Sequence, residues 1–144
     1  SVIYINRTIK LNISNTTERG PGKIYLVRIR LMANIYKNDK VSLTTTDLTT
    51  LYTVPSFKTA VVKSILVSED AGSGASITVT LVDASSNIFS LFKSKAISSN
   101  ATTELLSQPL VMEASEALKV QATDANELHV IASILEIEPR EVTT

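Results

Sequence analysis

A two-residue alternation of apolar and polar side chains recurs along almost the whole chain, and it restricts the fold more than any other feature. In the segment ITVTL at 77–81, for example, isoleucine, valine and leucine alternate with two threonines. Successive side chains of a β-strand point to opposite faces, so this spacing predicts half-buried strands. Residues 112–120 contain helix-favouring glutamates and alanines, but a strand, a turn and a second strand are predicted there.

Clusters of glycine, proline, asparagine, aspartate and serine separate the predicted strands at intervals of roughly 8–12 residues. Strong clusters lie at 70–74, 83–87 and 124–126. Residues 36–40, with the sequence YKNDK, are also predicted to form a turn, followed by a short strand at 41–45. Short strands at this spacing are typical of sandwiches and barrels, and we predict an all-β, jelly-roll-like antiparallel β-sandwich with an extended N-terminal arm.

The last predicted strand, residues 128–137, differs from the others because both of its faces carry apolar side chains. This pattern predicts a central position in a sheet or a second contact surface. One face holds Leu128, Val130, Ala132 and Ile134, and the other holds His129, Ile131, Ser133 and Leu135.

Charge is unevenly distributed, although the chain holds 14 basic and 14 acidic residues. Residues 1–32 carry six lysines and arginines against one glutamate, for a net charge of +5, and the remainder carries −5. We predict an N-terminal β arm or extension at 1–32, a β-sandwich domain at 33–138 and a polar tail at 139–144. A basic arm on an acidic body favours docking on an acidic neighbour. The candidate partner-binding residues are Arg7, Lys10, Lys23, Arg28 and Arg30.

The arm contains two further alternating segments, at 2–6 and 8–14. A strand left unpaired in water exposes its backbone donors and acceptors and risks aggregation. We therefore predict that these strands add to the sheet of their own domain or to that of a neighbouring subunit.

The composition removes several kinds of site. The chain has no cysteine, which excludes disulfides, thiolate zinc sites and a cysteine nucleophile. His129 is the only histidine, so the residues needed for a catalytic triad or a His-rich metal site are lacking. We expect His129 to be a partly exposed or hydrogen-bonded strand residue. No apolar run approaches the roughly 20 residues of a membrane-spanning helix, and residues 1–7 do not resemble a secretory signal.

The acidic residues are scattered, mostly in turns or at strand ends, where they are common for local reasons. Paired carboxylates for glycoside hydrolysis are therefore not predicted. Glu69 and Asp70 flank one hairpin with Asp83 and are a candidate calcium site, but solvated turns are the preferred interpretation. We predict no enzyme, no cofactor and no metal. The acids concerned are Asp47, Glu69, Asp70, Asp83, Glu104, Glu113, Glu116, Asp124 and Glu127.

Nucleic acid is not a predicted partner. The segment Gly20-Pro21-Gly22 lacks the lysine and the serine or threonine of a phosphate-binding loop. The basic arm includes Tyr4 and Tyr25, but aromatic residues make up only 5% of the chain, and the charge of −5 on the body would repel phosphates.

Several strand and turn segments in residues 49–137 are similar to known sequences. They are TLYTVP at 50–55, TAVVKSILV at 59–67, ITVTL at 77–81, ELLSQPLV at 104–111, LKVQA at 118–122 and VIASILE at 130–136. With MANIYK at 32–37, they resemble small virion structural proteins of tailed bacteriophages, especially those of marine and cyanobacterial hosts. The resemblance implies a capsid-decoration, neck, baseplate or fibre-associated component of the virion. It implies no active-site residues, and it implies that residues 1–32 are an upstream extension.

These observations predict a non-enzymatic virion component that acts through protein–protein contacts. Charged residues are 19% of the chain, below the average of about 25%, which favours coverage of part of the surface by a partner. We expect a homo-oligomer, such as a trimer or a ring, with no membrane contact. The alternative is a carbohydrate-binding or host-surface-binding module on a tail fibre or baseplate. That alternative requires exposed aromatic side chains in a groove, for which Tyr36, Tyr52 and the phenylalanines are the candidates.

Overall fold

The computed structural model describes residues 2–4, 9–14 and 28–138, with side chains from residue 34 onward. Within these ranges every regular element is a β-strand, and no helix long and apolar enough to cross a membrane is present. The strands are β1 (Val2–Tyr4), β2 (Ile9–Ser14), β3 (Arg28–Leu43), β4 (Thr49–Thr53), β5 (Thr59–Glu69), β6 (Ala75–Val82), β7 (Ile88–Ile97), β8 (Thr102–Glu104), β9 (Leu110–Met112), β10 (Ala117–Ala122) and β11 (Leu128–Ile137).

The strands form two antiparallel sheets. The large sheet has the order β1-β2-β3-β11-β5, with β8 and β9 both pairing along the far edge of β5. The small sheet has the order β4-β10-β6-β7. The pairs are nested along the chain, because β3 pairs with β11, β4 with β10, β5 with β8 and β9, and β6 with β7. A long hairpin wrapped in this way around one core is a jelly roll, so the predicted fold class is confirmed.

The core lies between the two sheets and follows the alternation of the sequence. In β5, Val62, Ile65 and Val67 are fully buried against Ile77 and Val79 of β6. Their neighbours Lys63 and Leu66 are exposed on the opposite side of the strand. The inward positions of β5 shift by one residue at a β-bulge beside Ser64.

The strand β11 is central, with β3 on one side and β5 on the other. The face that carries Leu128, Val130 and Ile134 is buried in the core. The face that carries Ile131 and Leu135 lies on the other side of the large sheet. The predicted central position is therefore confirmed. The second apolar face is partly open, and its role as a contact surface stays a prediction.

The turn predicted at residues 36–40 is wrong. The strand β3 continues without interruption to Leu43, since its residues from Asn34 onward pair with all ten residues of β11. The residue types of this segment favour a turn, but pairing with β11 keeps the segment extended. Strand formation depends more on pairing and on neighbouring side chains than on intrinsic preference. Between Met112 and Ala117, by contrast, the predicted strand, turn and strand are present.

The N-terminal strands continue the large sheet. The strand β2 pairs with the first part of β3, from Ser14 opposite Arg28 to Ile9 opposite Ala33, and β1 pairs with β2. Of the two predicted arrangements, pairing within the same chain is the one observed. The strand β3 is shared by the two predicted regions, and their division at residue 32 stays a prediction.

Candidate interaction surface

The candidate site is the side of the large sheet that points away from the small sheet, called here the outer face. Residues directly opposite one another on neighbouring strands point to the same side, so the strand register defines the face as a set of rows. The outer face consists of Tyr36, Asn38, Lys40 and Ser42 of β3, His129, Ile131, Ser133 and Leu135 of β11, Val61, Ser64, Leu66 and Ser68 of β5, Thr102 and Glu104 of β8, and Val111 of β9.

One complete row of the outer face is apolar. Tyr36 lies opposite Leu135, Leu135 opposite Val61, and Val61 opposite Val111. The two ends of the row are open, with Tyr36 72% and Val111 60% exposed, and the two central side chains are half-buried. An uninterrupted apolar row on an exposed sheet face favours contact with another macromolecule.

A second row has apolar residues at its centre and opposite charges at its ends. Ile131 and Leu66 lie opposite each other, with Lys40 beyond the first and Glu104 beyond the second. The Glu104 carboxylate is held in place because it accepts hydrogen bonds from Ser64 Oγ at 2.6 Å and from the backbone N–H of Ile65 at 3.2 Å. The negative end of this row is therefore held on the β8 edge of the face, and Lys40 places the positive end on the β3 side.

A shallow depression of about 310 Å³ lies between the two rows. Ser133 contributes to its lining because its short side chain leaves space between the strands. The ammonium group of Lys63 lies 5.5 Å from the ring centroid of Tyr36 and is within the range of a cation–π contact. That contact orients the most exposed aromatic ring of this face.

A buried carboxylate lies at the end of the core nearest the arm. Glu136 is only 4% exposed and follows Ile134 on the inward side of β11. Its Oε1 accepts a hydrogen bond from Tyr52 Oη at 2.9 Å, and its Oε2 accepts one from Lys58 Nζ at 3.2 Å. Lys37 Nζ lies 3.5 Å from Oε1 and 5.1 Å from the centroid of the Tyr52 ring. This cluster therefore links β4 of the small sheet to β11 and β3 of the large sheet, and β3 is the strand that leads to the arm.

The electrostatics of this cluster favour the ionised carboxylate. Burial raises the pKa of Glu136, but hydrogen bonds from Tyr52 and Lys58 and the charge of Lys37 outweigh it and hold that pKa below its usual value. Burial, together with the hydrogen bond to Glu136, raises the pKa of Tyr52 well above its usual value. The cluster therefore holds Glu136 charged and Tyr52 neutral, which suits a structural cross-link.

The carboxylate of Glu69 fixes the loops at the opposite end of the sandwich. It accepts backbone N–H bonds from Ala71 at 2.9 Å, Gly72 at 3.2 Å and Asn100 at 2.7 Å. These bonds, of which the one from Asn100 is the strongest, lower the pKa of Glu69 against the opposing effect of burial. Glu69 thereby joins the β5–β6 turn, where Gly72 has φ +81°, to the β7–β8 turn.

We expect acid to destabilise the fold mainly below pH 5. The folded-state pKa values of Glu69 and Glu136 lie below the unfolded value of about 4.3, so their contribution is complete above that value and is lost as the pH falls through the folded pKa. The melting temperature should therefore be level from pH 7 to about pH 5 and fall below it. Glu69→Gln should make that fall shallower, whereas Asp47→Asn, in an exposed loop, should leave it unchanged. If the melting temperatures of wild type and Glu69→Gln fell by the same amount below pH 5, the protonation of Glu69 would not be coupled to folding.

The only histidine lies on the outer face, as a hydrogen-bonded strand residue. His129 Nε2 is 3.0 Å from Asp70 Oδ2, and both side chains are substantially exposed. Ser42 and Ser68 flank His129 in its row, but among the described residues no hydrogen bond joins either hydroxyl to the ring. Ser68 Oγ instead accepts a bond from Thr102 Oγ1 at 3.3 Å.

The candidate calcium site is not formed. Glu69 and Asp83 lie at opposite ends of β6, and the carboxylate of each accepts backbone hydrogen bonds from loops at its own end of the sandwich. Within residues 34–138, no three Asp, Glu or His side chains are grouped to hold a metal ion.

Other apolar side chains are exposed away from the outer face. Phe57, in the β4–β5 turn, is 83% exposed and has φ +64°, a backbone conformation that bulky residues rarely adopt. Ile88 and Phe89 are exposed at the start of β7, one of the two edge strands of the small sheet. Tyr52, a candidate platform for the carbohydrate-binding alternative, is only 3% exposed, because it packs in the core and donates a hydrogen bond from its hydroxyl to Glu136. Among the side chains of residues 34–138, the exposed aromatic ones thus lie on separate elements rather than in one groove.

The five basic residues predicted to bind partners remain predictions. Arg7 and Lys23 lie outside the described residues. Lys10 belongs to β2, and Arg28 and Arg30 belong to β3, in strands that are described here by their backbone pairing alone. No single residue type in the sequence marks the outer face. Its rows can be recognised only once the strand register is known.

Comparison with known proteins yields structural likeness only. No family model matches the chain, and no curated protein matches it. The structure of infectious bursal disease virus Gt strain is similar with a TM-score of 0.40 at 9% identity, over 95% of this chain and 41% of that one. The CBM22-1 and GH10 modules of Clostridium thermocellum xylanase 10B, complexed with xylohexaose, are similar with a TM-score of 0.32 at 9% identity, over 93% of this chain and 25% of theirs. The chain therefore spans less than half the length of either protein.

Proposed function

We propose that this chain is a non-enzymatic structural component of a phage particle that acts through protein–protein contacts, with the outer face as its main contact surface. The observation that carries the proposal is the apolar row of Tyr36, Leu135, Val61 and Val111 on an exposed sheet face. Covering apolar area contributes roughly 25 cal/mol per Å², from which the cost of association is subtracted.

The resemblance of residues 49–137 to small virion proteins of tailed phages supports the particle role. On this proposal the chain is located in the virion, as a capsid-decoration, neck or baseplate-type component. The exposed Phe57 and the edge strand β7 are secondary contact points, because both present apolar side chains to solvent. The basic residues of the N-terminal arm supply electrostatic attraction to acidic neighbours.

Replacing Val111 by aspartate is expected to weaken incorporation of the chain into particles at least tenfold, because it places an unpaired charge in the apolar row. Co-sedimentation of the purified chain with particles that lack it measures this effect. Leu48→Asp is the matched control, since Leu48 is 46% exposed in the β3–β4 loop and away from the outer face. Equal binding of wild type and both variants would reject the outer face as the contact surface, and no binding of wild type would reject the particle role.

A carbohydrate-binding module on a tail fibre or baseplate is the second candidate, and one observation favours it. Tyr36 is exposed beside the 310 Å³ depression, where Lys63 and Asn38 supply polar groups. Binding on a glycan array that is lost in Tyr36→Ala would support this candidate. An array without binding would remove it.

A further inference from the structure

The charged row of the outer face is arranged so that it complements a second copy of itself. The order across the strands is Lys40 on β3, Ile131 on β11, Leu66 on β5 and Glu104 on β8. Two such faces can be related by a two-fold axis that lies between them, runs parallel to the strands and passes midway between β11 and β5. This axis reverses the order of the residues across each row, and each row keeps its position along the strands. Lys40 of one copy therefore faces Glu104 of the other.

The same operation matches the apolar residues. Ile131 of one copy meets Leu66 of the other at the centre of the charged row. In the apolar row, Tyr36 meets Val111 and Leu135 meets Val61. Because an isologous interface uses one patch on both subunits, each of these contacts occurs twice.

The distances permit these contacts. With neighbouring strands about 4.8 Å apart, Lys40 and Glu104 lie roughly 7 Å on either side of the axis. Sheets that pack face to face are aligned within about 30°, which displaces the ends of a row by roughly 4 Å, within the reach of a lysine side chain. The hydrogen bonds that Glu104 accepts from Ser64 and Ile65 hold it in position on the face.

The area reaches the lower limit for a specific dimer. Four strands span about 19 Å, and the ten residues of β11 span about 30 Å, which gives a footprint of roughly 570 Å² on each copy. The total of roughly 1,100 Å² clears the minimum of about 1,000 Å² for a specific interface and lies at the small end of the range, where ion pairs and good complementarity are needed.

We propose that a second copy of this chain docks on the outer face through a two-fold axis, with Lys40 and Glu104 forming reciprocal ion pairs around the apolar centre. This inference rests on the proposed function, for which it names the partner of the outer face. It replaces the trimer or ring expected from the sequence with a dimer at this surface.

The test uses two charge reversals, Lys40→Glu and Glu104→Lys, in the full chain. Each variant alone places like charges opposite each other twice, so we expect dimerisation to weaken at least tenfold. An equimolar mixture restores opposite charges at both positions and should form dimers that contain one chain of each variant. Analytical ultracentrifugation measures the affinity, and mass spectrometry of the intact complexes counts the two chains. A mixture that stays monomeric, or a wild type that forms only monomers or trimers at about 100 μM, overturns the proposal.

Val111→Asp provides a second readout that does not depend on the hydrogen bonds of Glu104. It should weaken dimerisation while leaving the circular dichroism spectrum unchanged, because Val111 is exposed on the short edge strand β9. An unchanged dimer affinity in this variant contradicts the assigned face. A monomeric wild type that still binds particles through the outer face would overturn this inference and retain the proposed function. A dimer that binds no particle would retain this inference and overturn the proposed function.

Discussion

Replacing Glu136 by alanine is expected to lower the free energy of unfolding by about 3 kcal/mol, because it removes the acceptor shared by one tyrosine and two lysines. The Tyr52 hydroxyl would then be buried without its partner, and the ammonium groups of Lys58 and Lys37 would lose the charge that they face. Equilibrium denaturation in urea at pH 7 measures the change.

The control for this variant is Glu138→Ala. Glu138 lies 3.5 Å from the same Lys58 but is 30% exposed at its side chain, so its loss should cost less than about 1 kcal/mol. A double-mutant cycle with Tyr52→Phe should show coupling, since the hydroxyl has no role once Glu136 is absent. If Glu136→Ala and Glu138→Ala cost the same, Glu136 is not the buried cross-link described above.

Two adjacent residues of β5 should respond very differently to truncation. Ile65 is fully buried between the sheets, so Ile65→Ala should cost about 3 kcal/mol through lost burial and the cavity that remains. Leu66 points to the outer face and is 38% exposed, so Leu66→Ala should cost about 0.5 kcal/mol in the monomer.

The monomer is measured at low micromolar concentration, where association does not contribute to stability. The same two variants then separate the roles of the two faces, since Leu66→Ala should weaken dimerisation and Ile65→Ala should not. Equal losses of stability at both positions would mean that the strand does not have one buried side and one open side.

The sequence was sufficient for the fold class because alternation and turn spacing reflect the two sides of each strand. The two apolar faces of residues 128–137 likewise predicted the central place of β11. The segment at 36–40 was assigned wrongly, since its residue types favour a turn and the pairing that keeps it extended comes from β11, almost a hundred residues later. Local preference gives no information about such a distant partner.

The outer face could be predicted from the sequence to a much smaller extent than the fold. Its rows join residues from four parts of the chain, and they emerge only when the register is known. The buried role of Glu136 does have a signal in the sequence, because Glu136 continues the inward series of Val130, Ala132 and Ile134. A charged residue at an inward position predicts a buried acid with partners. Nothing comparable in the sequence indicated that Tyr52 would be its partner.

Hydroxyl-radical footprinting of the chain, first dispersed at low concentration and then in its assembled form, tests most directly whether the outer face is covered in use. Strong protection of Tyr36, Leu66 and Val111 is expected on assembly, with little change at Leu48. Full labelling of the three outer-face residues in the assembled form, with protection elsewhere, would show that the outer face is not the contact surface.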